Sequence, residues 1–165
     1  MAKRIESTKK GRAIKMKGLT EDEVNFSLLA IRSTEPETRM AWLLNRALSL
    51  DFIHRYNLSG REPNKPQQHT LLSVDKSEET RQFAVFHATG SDLHRTYILI
   101  TNRQSGEALI KELGHVDYLL KIPDALPNDD LAALCTAIRA IPDVLACIAV
   151  TDKLKYNPLL ASLEV

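Results

Sequence analysis

Three observations predict an α+β fold: a mostly antiparallel sheet of about six to seven strands, with two helices covering one face. Helical periodicity is confined to two well-separated segments, and the long stretch between them is a succession of strand-like runs. Those runs are short and divided by turn-rich pieces, the spacing of a meander. The chain has 165 residues, 44% of them hydrophobic and 26% charged. That is enough apolar surface for one core without disulfides or metal. The expected order is β-α-β-β-β-β-α-β, with a further strand near residues 115–122.

The first strand is read over Val24–Ile31, where period-2 alternation gives way to residues apolar on both faces, as in a central strand. Thr34 and Glu37 have the spacing of a capping box, with Pro36 in the first turn. Behind them Met40, Leu43, Leu44, Ala47 and Leu48 recur at helical spacing, so residues 35–49 read as an amphipathic helix. Phe52, His54, Tyr56 and Leu58 alternate as a strand, which ends in a loop rich in proline at 59–66. Further strands are expected at about 69–75, 81–89 and 93–101. Asn102–Gly106 reads as a turn, and Val116, Tyr118, Leu120 and Ile122 alternate as another strand. Asn128 is the expected cap of a second helix. Asp129 and Asp130 favour its positive end, and Leu131, Leu134, Cys135 and Ile138 form its apolar stripe. Pro142 ends it, Val144–Val150 is a last strand, and residues 152–165 show no clear period.

Charge is unevenly spread. Residues 1–18 carry seven basic side chains against Glu6, a net of +6, while the rest of the chain carries 15 basic and 20 acidic residues, a net of −5. Residues 1–20 are read as a solvated basic tail and 21–165 as a single domain. Nucleic acid is a weaker reading for the tail, because it has no aromatic side chain to stack on bases. No run reaches the roughly 18 apolar residues of a membrane span. No apolar stretch follows the first charged residues, as a secretory signal requires. A cytoplasmic protein is expected. The two cysteines, Cys135 and Cys147, have no CxxC or CxxH spacing and read as reduced core thiols, a Cys135–Cys147 disulfide being the weaker reading.

The segment Tyr97–Gly106, continued by Leu109-Ile110-Lys111-Glu112-Leu113-Gly114-His115-Val116-Asp117-Tyr118, resembles a family of small Bacteroidetes proteins named for an I-P-E-x-x-x-D-Y motif. Ile110, Glu112, Asp117 and Tyr118 match that motif, and Lys111 stands where the family has proline. The likeness extends to Ala41–Leu48, Ile141-Pro142-Asp143 and Asp152–Lys155, and so covers about residues 22–156. The resemblance implies a cytoplasmic bacterial protein and brings no catalytic residue or cofactor with it.

Glu112, His115 and Asp117 include acid/base and metal-ligand types, but a strand beginning at Asp117 turns it away from the other two. The motif is therefore read as structural, with Gly114 permitting a turn, Glu112 or Asp117 holding turn amides and Tyr118 in the core. His54, His69, His87 and His94 show no HxH or HExxH spacing, and no G-x-S-x-G, P-loop or G-x-G-x-x-G is present. No catalytic residue, metal site or cofactor is expected. Trp42 lies about 160° from Leu44 around the first helix, with Arg39 and Arg46 on its side. Arginine and tryptophan together are typical of interaction hot spots. The favoured function is a non-catalytic interaction module, binding itself or another bacterial protein through Arg39, Trp42 and Arg46. The alternatives are a ligand sensor or enzyme with a site assembled from several strands, and nucleic-acid binding through the tail.

Overall fold

The computed structural model describes residues 26–59, 81–90, 95–150 and 157–163. The basic tail, most of the proline-bearing loop and the strand expected at 69–75 lie outside the described residues. The fold is α+β. Its chain order is β1 (Ser27–Ser33), α1 (Glu37–Leu48), β2 (Ile53–Ser59), β3 (Gln82–Thr89), β4 (Thr96–Thr101), β5 (Arg103–Gln104) and β6 (Glu107–Ala108). A 3-10 turn (Lys111–Leu113), β7 (Tyr118–Ile122), α2 (Asn128–Arg139), β8 (Val144–Ala149) and α3 (Pro158–Ser162) follow.

Six strands form one sheet in the order β2-β3-β4-β7-β1-β8, antiparallel throughout, and β5 and β6 form a separate hairpin. β2-β3-β4 is a true meander. β1 sits deep in the sheet between β7 and β8, which is why its residues are apolar on both faces. α1 and α2 cover one face, where Leu29, Ile31, Phe86, Leu99, Tyr118 and Leu120 meet Met40, Leu44, Cys135 and Ile138. The opposite face is covered too. Leu28, Val85, Ile98, Ile100 and Leu119 pack against Ile110, Leu113, Val116, Leu160 and Leu163.

Several local expectations are corrected. No capping box forms at α1: Pro36 is the N-cap without a side-chain hydrogen bond, and the Glu35 amide donates to Ser33 Oγ at 3.2 Å. Ala41 joins the buried stripe of α1, whereas Ala47 near its end is exposed. Pro127, not Asn128, is the N-cap of α2, and it likewise makes no side-chain cap. In β2 a register shift between His54 and Tyr56 breaks the expected alternation. The extra residue puts His54 against Phe86 on the helical face and Tyr56 against His87 on the other. Residues 103–108 are a hairpin with Ser105 and Gly106 at its turn. Their φ angles of 49° and 85° are the paired positive values of a type I′ hairpin turn. The last residues form α3, capped by Asn157 Oδ1 accepting from the Leu159 amide at 2.9 Å.

Candidate functional site

The helical face that carries Trp42 is built by the same packing that buries the other side of α1. Met40, Ala41, Leu43 and Leu44 are committed to the core, which turns positions 35, 39, 42 and 46 outward as one stripe. Trp42 is 46% exposed, an unusual state for the largest apolar side chain. Arg39 and Arg46 stand one turn to either side. Their guanidinium carbons lie 4.5 and 5.6 Å from the indole centroid, so the ring is held between two cations. Glu35 meets Arg39 at 3.8 Å, within the reach of an i, i+4 pair. Such an exposed pair contributes little to stability but helps set the rotamer of the guanidinium.

The far end of α1 is fixed by its asparagine. Asn45 Oδ1 accepts from the Phe52 amide at 2.6 Å, and its carbonyl accepts the Leu50 amide at 3.1 Å. Ser49 closes the helix in the left-handed region, at φ 54°. Asn45 thus sets the exit from the helix and, through it, the start of β2.

The motif residues are placed by a different asparagine. Asn102 is fully buried at the end of β4. Its Nδ2 donates to the carbonyls of Leu113 (2.8 Å) and Val116 (2.9 Å), and its Oδ1 accepts from the Ile110 amide (3.0 Å). The backbone amide of Asn102 donates to the Asp117 carbonyl at 2.8 Å, and its carbonyl accepts the Leu109 amide at 2.7 Å. One side chain therefore satisfies the irregular backbone of 109–117, where no ladder could. Ile110 is buried beneath that turn. Glu112 and His115 are exposed. Gly114 has φ −60°, so the turn does not need glycine's conformational freedom; an added Cβ would instead come within 3.2 Å of the Lys111 carbonyl.

Asp117 Oδ2 accepts from the Ser33 amide at 3.0 Å, and its Oδ1 faces Arg103 at 3.7 Å. Ser33 Oγ in turn donates to the Asp143 carbonyl at 2.8 Å. Asp117 thus joins the ends of β1 and β7, and Ser33 carries the link on to β8. Tyr118 is buried in the helical-face core, and its hydroxyl donates to the Glu35 carbonyl. Burial, and then the charges of Glu37, Asp117 and Glu35, push the phenol above its ordinary range and keep it a neutral donor.

The structure does not bring Glu112, His115 and Asp117 to one point. Among the described residues, no group of three or more His, Cys, Asp or Glu side chains is placed to hold a metal ion. His87 Nε2 and Thr101 Oγ1 are buried without a hydrogen-bond partner. They lie on opposite faces of the sheet, since His87 shares register with Ile98 and Thr101 with Tyr118. They do not form a joint site. Asn102, Ser33 and Lys121 escaped sequence reasoning. Lys121 is buried in β7, where its ammonium donates to the carbonyls of Leu160 (2.7 Å) and Leu163 (2.6 Å) over the Phe26 ring. No helix among the described residues is long and apolar enough to cross a membrane. Comparison with protein-family models, with curated proteins and with solved structures returns no match to this chain.

Proposed function

We propose that the protein is a non-catalytic interaction module whose α1 face binds another protein through Trp42, Arg39 and Arg46. The observation that carries this reading is the indole itself, 46% exposed between two guanidiniums on a helix whose other side is filled by core residues. Its partner is a surface with an apolar or aromatic residue flanked by carboxylates. Charge decides between such a partner and a second copy. A two-fold axis through Trp42 sets Arg39 of each copy against Arg46 of the other when the helices run antiparallel, and like residues together when they run parallel. Either way arginine faces arginine, which opposes self-pairing.

The same reading treats the chain as a cytoplasmic member of the motif-named family. What supports that is the work done by three motif positions: Ile110 under the turn, Asp117 joining β1 to β7, and Tyr118 tied to the start of α1.

Trp42 is the sole tryptophan, so its emission reports on this face directly. Capture from the native cell, followed by isolation of the captured protein, gives a partner for titration. Binding should shift the emission and weaken with salt; followed by titration calorimetry, which needs no tryptophan, it should fall at least 30-fold in Trp42→Ala, the loss expected of a hot-spot residue. Arg39→Glu with Arg46→Glu should abolish it, while sedimentation shows the free protein monomeric. A Trp42→Ala protein that binds as the wild type does, or that is instead clearly destabilised, refutes the proposal.

A further inference from the structure

The two cysteines of the chain meet across its helix–sheet interface. Cys135 projects from α2 and Cys147 from the edge strand β8, with their sulfurs 3.7 Å apart and both side chains buried. We propose that Cys135 and Cys147 are an oxidisable dithiol that closes to a reversible disulfide when the protein meets a hydroperoxide.

A hydrogen bond from the same helix anchors the pair. Cys135 and Arg139 stand one turn apart on the same face of α2, and both reach Cys147. Arg139 Nε donates to the Cys147 carbonyl at 2.8 Å, joined by Nη2, while the two thiols touch. The strand residue is thus fixed at its backbone and presented at its side chain. The sulfurs need to approach from 3.7 Å to about 2.05 Å. Reactants already held this close meet at a high effective concentration. Simple packing of two small hydrophobes asks for no such register, and the anchoring of Cys147 by the same helix that carries Cys135 is what sets this pair apart.

The two thiols have different parts. Cys147 is fully buried, and burial together with the neighbouring Cys135 thiol pushes its thiol well above the ordinary range, against the pull of Arg139. Cys135 is the more accessible, at 4% exposure, and takes the first oxidation. Its sulfur forms a bond to one peroxide oxygen as the O–O bond breaks. The leaving hydroxide takes the thiol proton as water, and Cys135 is left as a sulfenic acid. The Cys147 sulfur then attacks the Cys135 sulfur. The S–S bond forms, the S–O bond breaks, and the departing hydroxide leaves as water with the Cys147 proton. The dithiol loses two electrons and two protons, and one hydroperoxide is reduced. A cytosolic disulfide of this kind belongs to the reversible, redox-sensing class.

The test uses the full chain, in which these are the only cysteines. Protein is treated with hydrogen peroxide, unfolded in iodoacetamide and weighed intact. The expected result is a monomer lighter by about 2 Da with no alkylation, which regains both alkylation sites after dithiothreitol. Its melting temperature should stand about 5–10 °C above that of the reduced protein, because a short loop has been closed. Cys147→Ser should stop at the sulfenic acid or proceed to the sulfinic acid without forming a monomeric disulfide. The wild-type mass measurement stands alone should that variant fail to fold. The proposal is overturned by a mass gain in multiples of about 16 Da without the loss of two hydrogens. It is equally overturned by disulfide-linked dimers, or by two thiols that stay fully alkylatable after treatment.

Discussion

Replacing Asn102 with alanine tests the claim that one buried amide holds the 109–117 turn. The substitution removes three hydrogen bonds, but the groups left behind are not equal. The Leu113 carbonyl keeps a second partner, the Val116 amide at 3.1 Å. The Val116 carbonyl and the Ile110 amide have only the Asn102 side chain among the hydrogen bonds described. Two buried backbone groups are therefore orphaned, at about 1–3 kcal/mol each, for an expected destabilisation of about 2–6 kcal/mol. Urea unfolding followed by far-ultraviolet circular dichroism measures this as a lower midpoint at unchanged slope. Asn102→Asp sharpens the test. A carboxylate can still accept from Ile110, but it faces the two carbonyls that Nδ2 now serves, so the folded state favours the protonated acid. Its folded pKa is raised above the unfolded value near 4, and the added destabilisation grows as pH rises through that window. If Asn102→Ala unfolds within about 0.5 kcal/mol of the wild type, a size typical of neutral surface changes, the turn does not depend on this side chain.

Tyr118→Phe should cost about 0.5–1.5 kcal/mol through the lost bond to the Glu35 carbonyl, and Tyr118→Ala about 3–5 kcal/mol as an aromatic truncation in the core; urea midpoints separate the two. Burial, and secondarily Arg55, lower the pKa of His87. The unfolded chain therefore binds the proton more readily than the fold does, and stability is lost as pH falls through about 6.5. That part of the acid dependence should vanish in His87→Phe, as thermal melts between pH 5 and pH 8 would reveal. Arg139→Ala removes the group that covers the Cys147 carbonyl on an edge strand where Leu145 and Ile148 are exposed. It should promote concentration-dependent self-association, visible by light scattering; an unchanged monomer would mean that the edge needs no guard.

The elements most legible in the sequence were those whose signal is local and repeated. The stripe of α2, Leu131, Leu134, Cys135 and Ile138, needs only helical geometry to be seen, and these residues pack into the core as a group. The outward position of Trp42 followed from the same arithmetic. What escaped depended on single residues or on distant partners. The register shift in β2 adds one residue with no mark of its own, since any side chain can occupy a bulge. The hairpin at 103–108 has strands of two residues, too short for any period. Asn102 read as a turn residue because asparagine usually serves its own neighbours, whereas here its partners lie 8, 11 and 14 positions away. Lys121 falls between Leu120 and Ile122, at a position that alternation alone assigns to the other side of the strand. Its carbonyl partners are about 40 positions on, in and at the cap of a helix too short to announce itself.

The place of β1 in the sheet has a consequence for the order in which this protein is made. β1 is the first of the described strands to be synthesised, yet its ladder partners are β7 and β8, with Ser27 opposite Ile122 and Leu29 opposite Ala149. At a synthesis rate of about 5–20 residues per second, several seconds pass before those strands leave the ribosome. The β2-β3-β4 meander can assemble in that interval, because its neighbours are adjacent along the chain. β1, apolar on both faces, must wait without a partner. Among the described strands, one apolar on both faces is thus made first, and the strands that close over it are made late. Folding is gated by the arrival of β7 and β8, and crowded, rapid expression should tax this chain more than its finished fold suggests.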